Sequence, residues 1–79
     1  MPFRICIWTE ENTDHLAQHG VTPEDFEFVL ANPEEETISG SSGRPAAIGS
    51  APDGRRLICV YNELDDLYVE PVTAYEIED

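Results

Sequence analysis

Arg55-Arg56-Leu57-Ile58-Cys59-Val60-Tyr61-Asn62 is the stretch that decides the fold. Its centre is unbroken apolar sequence with β-branched and aromatic residues, which reads as a strand. The lack of polar alternation reads as a central strand covered on both faces. Before it, Ala51-Pro52-Asp53-Gly54 has proline and glycine placed for a turn, and residues 44–50 give a strand on the other side of that turn. After it, Glu63-Leu64-Asp65-Asp66 is the next turn and residues 67–77 are a last strand. Pro71 marks an edge or a bulge there, because proline donates no ladder hydrogen bond. The second half is therefore an antiparallel meander.

The first half reads differently. Residues 3–8 form a short strand or an extended entry. Thr9 is an N-cap, with Glu10 and Glu11 in the first turn and Asn12 at the capping-box position. That helix runs to about Gln18 or His19, and Gly20 supplies the left-handed residue that ends it. Thr22 caps a second helix, Pro23 fits its first position, and Glu24 and Asp25 favour its positive end. Phe26, Val29 and Leu30 fall on one face, Phe28 lies off that face, and Asn32-Pro33 stops the helix. Glu34-Glu35-Glu36 then leads through Thr37-Ile38-Ser39 into a loop, Gly40-Ser41-Ser42-Gly43. The expected fold is a single α+β domain. An N-terminal strand and two helices pack on one face of a three- to four-stranded antiparallel sheet.

Charge bounds the function. Seventeen acidic residues stand against four basic ones, all arginine, for a formal charge of -13 on 79 residues. Phosphate backbones are held by Lys and Arg, so nucleic acid and anionic membrane surfaces are disfavoured partners. A basic or neutral protein partner is favoured. The hydrophobic share of 41% is too high for a disordered acidic tail. No stretch resembles a signal peptide or a membrane helix, and the expected location is cytoplasmic. Cys6 and Cys59 sit in apolar strand sequence, where a thiol is a small buried hydrophobe and stays reduced.

Candidate chemistry is sparse. His15 and His19 share a helical face at a spacing that can hold a metal, with Glu11 as an available third ligand. The alternative is two polar residues near a helix end, where the dipole favours imidazolium. No cofactor motif is present. If Ser50 lies opposite Arg55, then Ile48 faces Leu57, Ala46 faces Cys59 and Arg44 faces Tyr61. Alternation then puts Arg44, Arg55 and Tyr61 on one side of the sheet and Arg56 on the other. Such an Arg near a Tyr binds an anion, stacks on the ring, or pairs with a carboxylate.

Several steps resemble the small BrnT-like proteins of the RelE-like toxin superfamily. In the front half they are Trp8-Thr9-Glu10-Glu11-Asn12, His15-Leu16, His19-Gly20-Val21 and Pro23-Glu24. In the back half they are Arg44, Ile48-Gly49, Asp53-Gly54-Arg55, Val60-Tyr61 and Val72-Thr73-Ala74. The resemblance implies helices packed on an antiparallel sheet, a ribonuclease toxin, and an antitoxin partner. Carried onto this chain, it implies a nuclease site of Arg44 and Arg55 with Tyr61 and His19. The chain departs from that pattern in its acidity. Tyr75 stands where the family has a basic residue, and Glu76-Ile77-Glu78-Asp79 replaces a basic C-terminal helix.

Three readings follow. The charge favours a non-catalytic, toxin-like fold that acts as an acidic protein-binding module. The resemblance favours a ribonuclease toxin, and the histidine pair a metal-binding protein. A strand edge near Pro71 leaves room for a homodimer.

Self-repulsion among the carboxylates opposes the compact state, and salt screens it. The melting temperature is expected to rise as sodium chloride is added. Melts that stay flat across salt concentration would contradict this electrostatic picture.

Overall fold

In a computed structural model, residues 4–40 and 43–77 are described. Phe3 of the expected first strand, Ser41 and Ser42 of the expected loop, and Glu78-Asp79 at the C-terminus lie outside them. The elements run β1 (Ile5–Cys6), α1 (Glu10–Ala17), α2 (Pro23–Ala31), β2 (Glu35–Ile38), β3 (Pro45–Ser50), β4 (Arg56–Glu63) and β5 (Tyr68–Glu76).

Both helices start where their side chains dictate. Thr9 accepts from the Asn12 amide while the Asn12 side chain accepts from the Thr9 amide, and Thr22 and Asp25 repeat the arrangement. Each box satisfies two of the amides that a helix start leaves without a backbone partner. Gly20, at φ 73°, turns the chain between the helices. As expected, Phe26 and Val29 are buried and Phe28 is exposed.

The fold is α+β, but its sheet is larger than expected. It is an open five-stranded mixed sheet in the order β1–β5–β4–β3–β2. Two edge strands make the difference. The acidic run after α2 pairs antiparallel with β3, from Glu35 opposite Ile48 to Ile38 opposite Pro45. Glutamates have poor strand propensity, so the pairing comes from the neighbour and not from the segment itself. At the other edge, β1 pairs parallel with β5 through Ile5 with Tyr68 and Cys6 with Val69. A two-residue strand carries too little pattern to reveal its direction.

The register between β3 and β4 also differs from expectation. Ser50 lies opposite Arg56, not Arg55, and Ala47 lies opposite Cys59. The Ala51 amide donates to the Arg55 carbonyl, and the Gly54 amide donates to the Ala51 carbonyl. The connection therefore holds five residues, one more than the expected turn, with Gly54 at φ 95°. One residue moves every β3 side chain relative to β4. Pro71 is followed by the irregularity its presence suggested. Tyr61 pairs with Pro71 and Val60 with Thr73, so Val72 is the extra residue on β5.

The core lies on one face of the sheet. Leu16, Val21, Phe26 and Val29 from the helical half meet Leu57, Cys59, Tyr61, Val69 and Ala74. β4 is central, and its main cover is on the helix side, where both helices feed one core. On the opposite face Val60 is buried and Ile58 half-buried, so the expectation of cover on both faces holds in part. Among the described residues no polar or charged residue is buried. No described helix is long and apolar enough to cross a membrane.

The residues of β3 and its end that face the helical core are small: Ala47 and Gly49, then Ala51 just after the strand. A Cβ on Gly49 would sit 3.2 Å from the Asn32 carbonyl oxygen and 3.4 Å from a Val29 methyl. This glycine is needed for close approach of the α2 end to the sheet, not for backbone freedom. Gly49→Val is expected to cost about 1–3 kcal/mol through overpacking, read as a lowered urea midpoint. An unchanged midpoint would show that α2 is free to retreat from β3.

Candidate functional site

The residues expected to share a nuclease site occupy three places. Tyr61 lies on the helix-covered face, where Arg4 donates to its hydroxyl at 2.7 Å and sits 5.4 Å from the ring centroid. Glu63 adds a carboxylate 3.8 Å from Arg4. Burial works against the Arg4 charge, but Tyr61, Glu63 and Glu36 outweigh it and hold the guanidinium above its ordinary pKa.

Arg55 works as a clamp at the other end of β4. It donates to Asp53 at 2.7 Å, to Asp25 at 2.8 Å and to the Gly20 carbonyl at 2.8 Å. One side chain thus ties the β3–β4 connection to the corner between α1 and α2. With these acceptors in place, the guanidinium is committed within the fold. Asp53 is held below its ordinary carboxylate pKa, first by the Arg55 amide, with burial opposing and the Arg55 side chain adding to the lowering.

Arg44 is on the opposite face of the sheet from Tyr61. Its Nε donates to Asn62 Oδ1 at 2.8 Å. This corrects the expectation that Arg44, Arg55 and Tyr61 share a side. The one-residue register difference reverses the face that Arg44 presents relative to β4. On that face Arg44 lines a shallow groove of about 290 Å³ with His15, Ser39, Thr73 and Tyr75. His15 reaches over β5, with Nε2 3.1 Å from Thr73 Oγ1. His19 stacks edge-on against His15 at 5.4 Å and lies 6.4 Å from the Tyr75 ring. Sequence reading did not associate His15 with Arg44, because they come together only through the sheet edge.

The histidine pair gains no third ligand. Among the described residues, no group of three or more His, Cys, Asp or Glu side chains is placed to hold a metal. The thiols are inert as nucleophiles. Burial, with Glu27 nearby, pushes Cys6 up to about 12. Burial, then Cys6 and Asp25, does the same to Cys59, also to about 12.

A larger concavity was not legible in the sequence. A cavity of about 710 Å³ lies between α2 and β1. Ile5, Cys6, Phe28, Leu30 and Pro33 supply its apolar lining, Glu24, Glu27 and Glu36 its carboxylates, and Arg4 a guanidinium. Phe28 is 42% exposed and Ile5 37% exposed. Phe28, on α2, therefore presents apolar surface to solvent at the concavity. Glu27 also accepts from the Trp8 indole at 2.7 Å, which fixes one rim carboxylate beside β1.

A comparison with protein families, curated proteins and solved structures returns no significant match for this chain.

The clamp has a pH signature. A carboxylate with a lowered folded-state pKa stabilises the fold above its unfolded pKa, and that contribution disappears as pH falls through the folded value. Arg55→Ala is expected to lower the urea midpoint at neutral pH. Asp53→Asn should reproduce part of that loss at neutral pH and none in acid. Asp66→Asn, an exposed change of equal charge, serves as the reference. A pH-independent Asp53 effect would remove Asp53 from the clamp.

Proposed function

We propose that this chain is a small acidic protein-binding module with a BrnT-like, RelE-like architecture, and that its partner is a basic protein of the antitoxin kind. The observation that carries this reading is the fate of the cations. There are only four, and they divide between the two faces of the sheet. Arg4 is held by Tyr61 and Glu63 and Arg55 by Asp25, Asp53 and Gly20, while Arg44 and Arg56 stand on the other face. Binding a phosphate backbone needs several neutralising contacts along one track. The outward charge is overwhelmingly carboxylate, which attracts and orients a cationic protein.

The ribonuclease reading keeps one observation in its favour. Arg44 and His15 line a single groove with the Tyr75 ring and the Thr73 hydroxyl. That pairing supplies a cation and an acid–base group near one point. Arg55 and Tyr61 are not among its lining residues, and Arg55→Ala is a poor probe because it also removes the tie between the β3–β4 connection and the helix corner.

Induction in a bacterial host, with growth and RNA integrity followed together, separates the two readings. The expected result is normal growth and intact RNA. Growth arrest with RNA cleavage, abolished in Arg44→Ala and in His15→Ala while both variants stay folded, would overturn the module reading.

A further inference from the structure

We infer that the cavity between α2 and β1 is the docking site for a basic amphipathic helix of the partner. This rests on the protein-binding reading and adds the place and the chemistry. The first ground is the pattern on α2. Phe26 and Val29 turn into the core, yet Glu24, Glu27, Phe28 and Ala31 form a second stripe at i, i+3, i+4 and i+7. All four are exposed and all four line the cavity. A helix that buries one stripe and exposes another with an aromatic residue in it has a second packing surface.

The second ground is charge complementarity. Glu24 and Glu27 stand on the α2 side, and Glu36 stands across from them on β2. Arg4 lines the cavity too, but it is bonded to Tyr61 and paired with Glu63, so the apolar floor is left with an excess of carboxylates, within a chain of net charge -13. An occupant with apolar residues on one face and Lys or Arg at its margins matches both features. A second copy of this chain, or an acidic peptide, would bring carboxylates against carboxylates.

The third ground selects a helix over an extended strand. The α2 wall offers side chains and no open ladder of amides and carbonyls, and β1, though an edge strand, offers a ladder of only two residues. A helix satisfies its own backbone, and its anchors at i, i+3, i+4 and i+7 pack against the equivalent stripe of a neighbour. The volume of about 710 Å³ is in the range of sites that take several side chains.

Trp8 is the only tryptophan in the chain, and its indole is bonded to Glu27 at the rim, so its emission reports on the cavity. The probe is a helical peptide of leucine and lysine with leucines along one face. The control is a peptide of the same composition in strict alternation, which has no helical stripe. The helical peptide is expected to shift Trp8 emission and to move the amide resonances of Ile5, Cys6, Phe28 and Leu30. It should bind about tenfold more tightly than the control. Phe28→Ser, at an exposed position, and Glu24→Gln with Glu36→Gln should each weaken it roughly fivefold, while leaving the Trp8–Glu27 bond in place.

Equal binding of both peptides, indifferent to Phe28→Ser, would mean general attraction between opposite charges. Resonance shifts centred on Arg44 and Tyr75 would place the partner on the other face. Self-association abolished by Phe28→Ser would give the cavity to a second copy. Each of these removes the cavity proposal and leaves the protein-binding reading standing. No binding of either peptide at low salt overturns both.

Discussion

Everything in this fold depends on covering one face of a five-stranded sheet with two short helices. α1 and α2 hold eight and nine residues. A helix of that length is about 13 Å long. The helix-side face spans four inter-strand steps, about 19 Å. The cover is therefore smaller than the surface it protects. The chain concentrates its cover over β3, β4 and β5, where Phe26, Val29, Leu57, Cys59 and Ala74 interlock. The strip next to β1 is left without a helix over it, and the α2–β1 cavity is the result.

The small residues in β3 and just after it aggravate this imbalance. Ala47, Gly49 and Ala51 let the end of α2 lie close on the sheet, where a Cβ at Gly49 would press on the Asn32 carbonyl. A helix held close along one edge presents its far side to solvent on the other. Phe28, Glu24 and Glu27 are on that far side. Packing on one stripe and exposure on the other are thus two consequences of one seating. Arg55 completes it by fastening the helix corner, at Gly20 and Asp25, to the loop that ends β3.

The helices were readable almost to the residue, because caps are local. Thr9 with Asn12 and Thr22 with Asp25 announce their helix starts in four letters each. The central strands were readable from composition. The sheet's edges were not, since β1 is two residues long and β2 is built on glutamates whose strand geometry is imposed by β3. The register failed for a countable reason: a turn with proline and glycine signals does not reveal whether it holds four residues or five. That single residue separated Arg44 from Tyr61 and dispersed the site that alternation had assembled. The cavity was hidden for another reason. Phe28 looked like a stray apolar residue and the glutamates like solvated surface. Only the position of β1 and β2 turns them into a lining and a rim.

The acidity of the chain has two parts, and they differ in meaning. Some carboxylates do local structural work. Glu10, Glu11, Glu24 and Asp25 sit in first helical turns, where the dipole welcomes them. Asp65 accepts the Leu67 and Tyr68 amides, which hold it below its ordinary pKa and shape the turn before β5. Glu35 and Glu36 charge an edge strand that would otherwise invite another strand to pair. A fold could use all of these and still be neutral, had its other surface positions carried lysine. This one carries none. The scarcity of surface cations, more than the presence of carboxylates, is what structural demands do not account for. It leaves a partner's cations as the complement to this surface, and the rim of the α2–β1 cavity is where carboxylates and exposed apolar surface coincide.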